Sequence, residues 1–121
     1  MAFRFSGGRI VGPRGDTGLL TFVGVPKNHV FTAADRFIFI LKDRSGSVVL
    51  QRTLPISADG HAQVALTHED TRALSEGTYE WSARYVLDAQ MDETGMVISG
   101  REVDTPFRCC EFEVQKVVGM P

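Results

Sequence analysis

Cysteine is almost missing from this chain of 121 residues: only Cys109 and Cys110 occur, side by side. Neighbours on an extended strand point to opposite faces, so these two could bond to each other only by distorting the backbone. A disulfide framework is excluded, and two thiols are too few to hold zinc alone. Free thiols suit folding in a reducing compartment. No apolar run approaches the length of a membrane span. The opening MAFRFSGGRIVG has no continuous apolar segment of signal-peptide type, which predicts a cytoplasmic product that is not classically secreted. Clustered positive charge is missing too: Lys plus Arg number 13 against 15 Asp plus Glu, a formal charge of -2. A phosphate-binding surface needs such clusters, so neither nucleic acid nor membrane is an expected partner.

Convergent chemistry is equally scarce. His29, His61 and His68 are scattered at spacings that match no metal-ligand motif, and they read as surface histidines. Asp88, Asp92 and Glu93 lack the alternating oxygen ligands of a calcium loop and read as a solvated acidic hairpin tip. No serine lies in a nucleophile elbow. Arg14-Gly15-Asp16 spells a tripeptide that cell-adhesion receptors recognise, but a Gly-rich turn into the first secure strand explains the same residues. The expectation is a chain without catalytic residues, metal or cofactor.

What the chain does have is alternation. From residue 78, Tyr79, Trp81, Ala83, Tyr85 and Leu87 face one way, while Thr78, Glu80, Ser82, Arg84 and Asp88 face the other. Val86 is the apolar exception. Period two with one aromatic face is the pattern of a half-buried strand. Tyr79, Trp81 and Tyr85 could form a sugar-stacking platform, yet the polar opposite face favours core filling. A core of Phe22, Leu66, Leu74, Tyr79, Trp81, Tyr85, Phe112 and Val114 is predicted.

The remaining strands follow from turns. Leu19 to Gly24 is the first secure strand, and Asp43 to Gly46 turns the run 35–42 back as Val48 to Leu54. Ala62, Val64 and Leu66 share one face of the next strand. Thr67 with Asp70 forms an Asp version of the capping box over a short helical turn ending before Gly77, which takes a positive φ. The long strand returns as Met96 to Asp104, and a last strand runs from about Arg108 to Val118. Seven or eight short strands with one capped turn predict an all-β, antiparallel two-sheet sandwich of immunoglobulin-like architecture. Residues 1–18 form a Gly/Arg-rich N-terminal arm, expected to be irregular, and residues 19–118 form the sandwich domain.

Two features suggest assembly. Phe37, Ile38, Phe39, Ile40 and Leu41 are apolar on both faces of one strand, whereas a small sandwich leaves one face of each sheet to water. The second face is expected to be covered by the arm or by another subunit. Phe3, Phe5, Ile10 and Val11 of the arm could anchor on a neighbouring copy.

The run from Leu66 to Trp81 resembles the small immunoglobulin-like β-sandwich domains of bacteriophage and prophage tail or baseplate proteins. The matching positions are Leu66, Thr67, Asp70, Thr71, Leu74, Gly77, Tyr79 and Trp81. Further likeness lies in Asp35 to Leu41, the turn at Asp43 to Gly46, and Phe112-Glu113-Val114, over roughly residues 19 to 118. The resemblance implies a non-enzymatic virion structural and assembly module acting through contacts with itself or other virion proteins. It implies transfer from the cytoplasm to the virion. Two alternatives stand beside it: a glycan- or receptor-recognition module, and an accessory regulatory factor that binds an enzyme.

Overall fold

Period-two stretches set most of the chain as strand. The computed structural model describes residues 2–23, 31–58, 60–94, 96–103 and 110–116. Its strands are β1 (Arg4–Ser6), β2 (Arg9–Pro13), β3 (Gly18–Val23), β4 (Arg36–Lys42), β5 (Val48–Pro55), β6 (His61–Leu66), β7 (Gly77–Met91), β8 (Val97–Val103) and β9 (Cys110–Gln115). One short helix, α1 (His68–Arg72), lies between β6 and β7. The larger sheet runs β1-β2-β9-β7-β4-β5 with β8 also paired to β7, and β3 with β6 makes a two-stranded sheet. The described residues are therefore all-β, with two sheets and one helical turn. Its sheets are antiparallel except that β2 runs parallel to β9, with Ile10 opposite Phe112 and Gly12 opposite Val114. That pair corrects the expectation of purely antiparallel sheets. The expectations for His29, Cys109 and the last strand beyond residue 116 lie outside the described residues.

Local chemistry places the corners. Asp43 Oδ1 accepts from the Ser45 amide (2.9 Å), the Ser45 hydroxyl (2.6 Å) and the Ser47 amide (3.0 Å). Asp92 Oδ1 repeats the arrangement with the Thr94 amide (2.9 Å), the Thr94 hydroxyl (2.7 Å) and the Met96 amide (3.0 Å). Both hairpins thus close on one carboxylate that satisfies the turn amides. The capping box of α1 is complete: the Asp70 amide donates to Thr67 Oγ1 (3.1 Å) and the Thr67 amide to Asp70 Oδ2 (3.0 Å). Gly77 has φ 139, a conformation that side chains resist. Just beyond it, the Tyr79 hydroxyl donates to the Ser75 carbonyl at 2.9 Å and pins the corner.

The 15-residue β7 organises the larger sheet, pairing with β9, β4 and β8 in turn. It bends at Asp88, where φ is 53 and the register to β8 slips between Leu87 and Gln90. Asp35, buried ahead of β4, holds that bend. Its Oδ1 accepts from the Asp88 amide (3.0 Å) and its Oδ2 from the Thr32 amide (2.8 Å). Such bulges re-aim a strand. Gly100 lets β8 pass close by, since a Cβ there would lie 2.4 Å from Val86 Cγ1.

Register then sorts β4 by face. Phe37, Phe39 and Leu41 stand level with Tyr85, Ala83 and Trp81 of β7, and all six enter the core. Phe22 of the small sheet meets Phe37, Phe39 and Trp81 with ring centroids 4.9, 6.0 and 5.6 Å apart. Leu66, Leu74, Phe112 and Val114 join them, with Tyr79 partly buried at the margin. Ile38 and Ile40 point to the outer face. Ile38 is nevertheless buried, sharing a shallow depression with Val86 and the β8 residues Val97 to Gly100. That much of its cover comes from this chain's own strands.

The arm is likewise ordered. Instead of an irregular segment, residues 4–6 and 9–13 are strands, and β2 extends the sheet beyond β9. Phe3 stacks on Phe112 at 5.2 Å and 19°, and its amide donates to the Thr17 carbonyl at 2.8 Å. The glycines make room for that ring: a Cβ on Gly12 would lie 2.3 Å from Phe3 Cγ, and one on Gly18 2.7 Å from Phe3 Cβ. Close approach, more than looseness, accounts for Gly12 and Gly18.

Gly12→Ala therefore destabilises the fold by about 1–3 kcal/mol, the cost of overpacking, and combining it with Phe3→Leu recovers part of that loss. Trp81→Ala costs about 3–5 kcal/mol because a large cavity is left among rings. Denaturant unfolding checks both. A Trp81→Ala melt superimposable on that of the parent removes Trp81 from the core.

Candidate functional site

The groups most able to do chemistry are employed in joining the arm to α1. Arg14 donates through Nε (3.2 Å) and Nη2 (3.0 Å) to the Arg72 carbonyl at the helix end. The His68 ring Nδ1–H donates to the Gly15 carbonyl. The buried Thr71 hydroxyl donates to the Asp16 carbonyl at 2.7 Å. All three residues of the Arg14-Gly15-Asp16 tripeptide thus bind α1, and the Arg14 guanidinium faces a backbone carbonyl. His61 sits at the start of β6, exposed on the outer face of the small sheet. Among the described residues, no group of three His, Cys, Asp or Glu side chains could hold a metal ion.

Acidic side chains near the turns have local partners. Hydrogen bonds from the Ser45 hydroxyl and the Ser47 and Ser45 amides hold the Asp43 carboxyl below the usual carboxylate range. Burial pushes the Asp70 carboxyl up, but the Thr67 hydrogen bonds and the Arg52 guanidinium outweigh it and hold it low. Arg52 Nη2 donates to Asp70 Oδ1 at 2.5 Å and ties β5 to α1. An open cleft of about 460 Å³ lies between the β4–β5 turn and the start of β7, lined by Asp43, Arg44, Ser45, Glu76, Gly77, Thr78 and Tyr79. It gathers polar side chains and one partly buried ring.

The aromatic face does not form a platform. Trp81 is 2% exposed and Tyr85 fully buried, so neither offers a ring face to a sugar. The Tyr85 hydroxyl has no hydrogen-bond partner among the described residues, and burial pushes its pKa up to about 12. It stays a neutral phenol across the physiological range.

Of the residues singled out as assembly contacts, Phe3, Ile10, Val11, Phe37, Phe39 and Leu41 are buried inside this chain. Phe5 is 43% exposed, with one edge against Phe22 at 5.3 Å. Ile38 and Ile40 belong to the outer face of the larger sheet, where Ile40 is half-buried. Three further aliphatic residues mark that face: Val86 beside Arg36, the exposed Val49 on β5, and Ile98, 66% exposed, at the rim of the Ile38 depression. Sequence reasoning flagged Val86 as the break in alternation but missed Val49 and Ile98. Their faces are set by the register shift at Leu41/Lys42 and the bulge at Asp88, which leave no period in the sequence. The repeated turn Asp43-Arg44-Ser45-Gly46 and Asp92-Glu93-Thr94-Gly95 was a legible signal that both hairpins share one design.

Comparison of the chain with protein-family models, with curated proteins and with solved structures gives no match. No helix of the described residues is long and apolar enough to cross a membrane. The outer face of the larger sheet, with exposed aliphatic side chains among charged ones, is the candidate site.

The α1 corner supplies a pH prediction. Because the folded Asp70 carboxyl titrates below its ordinary value of 3.8, the stability it contributes is fully present above that value. It is lost as pH falls through the folded pKa. Thr67→Ala costs about 1 kcal/mol at neutral pH and makes the loss of stability below about pH 4 shallower than in the parent. Melting curves from pH 7 to 2 check this; parallel profiles for the two proteins remove Asp70 as the acid-sensitive group.

Proposed function

We propose that this chain is a non-enzymatic structural and assembly module that works through protein–protein contacts, in the manner of the immunoglobulin-like domains of phage tails and baseplates. The observation that carries the contact reading is the outer face of the larger sheet. Ile38, Ile40 and Val86 lie on it, interleaved with Lys42, Glu80 and Arg84, and Val49 and Ile98 are exposed, where a sheet facing only water would place polar side chains.

Two features support the immunoglobulin-like part of the reading. The order β9-β7-β4-β5 facing β3-β6 matches the order of strands G, F, C and C′ opposite B and E in that architecture. The Tyr79 hydroxyl bond to the Ser75 carbonyl, at the corner leading into β7, has the form of a tyrosine corner. The tail or baseplate setting rests on the sequence resemblance alone. A glycan-binding reading would have to use the exposed loops and Tyr79, since the two larger rings are enclosed.

Co-expression with the proteins encoded beside its gene tests the module reading. The expected outcome is a stable complex, or a solution mass above the 13.3 kDa of one chain by light scattering at micromolar concentration. A monomer at 100 µM that binds none of those proteins overturns it.

A further inference from the structure

We infer that β6 accepts an extended segment of another protein as a third strand of the small sheet, its alternate side chains lying against Leu54 and Ile56. This rests on the contact reading above and adds a second surface and the chemistry of its occupant. In an antiparallel pair each residue turns its N–H and C=O to one side, and the side alternates along the strand. His61 fixes the phase. Its amide donates to Ser57 Oγ at 3.0 Å and its carbonyl accepts from the Ser57 amide at 2.8 Å, away from β3. Gln63 and Ala65 therefore turn their backbone groups that way too, while Ala62, Val64 and Leu66 turn theirs to Phe22, Leu20 and Gly18 of β3. Among the described residues, no backbone group bonds to Gln63 or Ala65 on the side away from β3. Ser57 holds the first position of a third strand, and the turn that brings the Gly60 amide to the Ser57 carbonyl (2.9 Å) ends it there.

The other edges are guarded and this one is bare. β1 is only three residues long, and β3 is bridged by Phe3 at Gly18. β5 has a register shift near its start, a charge at Arg52 and a proline at Pro55, and β8 pairs across two register shifts. Short length, charge, proline and bulges are the devices that keep foreign strands off an edge. β6, reading His-Ala-Gln-Val-Ala-Leu, has no proline, no register shift and no Lys, Arg, Asp or Glu.

The space beside the edge selects the occupant. A depression of about 630 Å³ has Leu54, Pro55, Ile56 and Ser57 on one side and His61 and Gln63 on the other. Leu54 packs against the core but stays partly exposed there. A single strand laid along β6 covers it. A second copy of this chain would not come so close, because its own wall from Leu54 to Ser57 stands beside its β6, and the two walls would meet before the edges did. No lining residue is an acid, a lysine or an arginine, so a charge on the inserted face would lose its water without gaining a partner. The occupant that fits is one extended segment, uncharged and apolar at every second residue on that face, bound by main-chain hydrogen bonds as in strand addition.

Amide exchange of the full chain, with and without a peptide probe, tests this. In the free chain the Gln63 and Ala65 amides should exchange about a hundredfold faster or more than those of Ala62, Val64 and Leu66. The probe is a seven-residue peptide of alternating Val and Thr, blocked at both ends. It is expected to bind and to slow exchange at Gln63 and Ala65. The same peptide with proline at its centre lacks a donor and should not bind. Ala65→Pro removes one outward N–H and leaves the β3 ladder whole, because proline is tolerated where its nitrogen faces solvent. That variant should melt within a few degrees of the parent and bind the probe about tenfold more weakly. Slow exchange at Gln63 and Ala65 in the free chain overturns strand addition. So does a probe that fails to bind at 1 mM, that binds equally well with the central proline, or that protects the outer face of the larger sheet instead. If the probe fails in any of these ways while a protein encoded beside the gene still binds the parent, strand addition is wrong and the contact reading stands.

Discussion

A two-stranded sheet has to keep water off the inner face of a much wider one, and most of the structure follows from that mismatch. Strands β3 and β6 cannot reach every strand opposite with small side chains. Phe22 solves the central part, its ring lying among Phe37, Phe39, Trp81 and Phe5. Aromatic rings bury much area per residue and accept tilted contacts, so a few of them can seal a wide gap. Toward β9 the seal is completed by the N-terminal segment, where Phe3 covers Phe112. The chain therefore needs a glycine beneath that ring at Gly12 and another beside it at Gly18.

The corners matter less for energy than for direction. A helix cap contributes about 1 kcal/mol, whereas a buried ring contributes several. Yet α1 receives bonds from two separate parts of the chain: Arg14 and the carbonyls of Gly15 and Asp16 from the start, and Arg52 from β5. A five-residue helix has little stability of its own, so these ties and the capping box are what hold it. In turn it carries the chain from one sheet to the other and delivers Leu74 to the core. Asp35 does the same for the opposite end, where two amide bonds to a buried carboxylate fix the bend of β7 and hence the path of β8.

Alternation in β6 and β7 made those strands, their buried faces and the role of Trp81 legible in the sequence, because period two is a local signal. Thr67, Asp70 and Gly77 were legible for the same reason: cap and positive-φ residues act within a few positions of themselves. The parallel pairing of β2 with β9 was not, since it joins residues a hundred positions apart and leaves no local trace. Glycine in the first 18 residues was ambiguous, as composition cannot distinguish a loose segment from one seated against a ring. The outer face was half legible. Ile38 and Ile40 stood out as a surplus, but which neighbours cover them depends on the bend at Asp88 and on Gly100, neither of which has a pattern.

The two outer faces of the molecule differ in a way that bears on function. On the small sheet, Leu19 is exposed among Thr21, Gln63, Ala65 and His61, one large apolar residue in polar company, which needs no explanation. On the large sheet, Ile38, Ile40 and Val86 share the outer face with Lys42, Glu80, Ser82 and Arg84, and Ile98 stands at the rim of the Ile38 depression. Stability alone does not require that gathering, because the core lies on the opposite side and Ile38 and Val86 are already covered from within. Exposed Val49 and Ile98 gain nothing from the fold as it stands. They gain burial only when another surface closes over them, and that is the physical ground of the contact proposal.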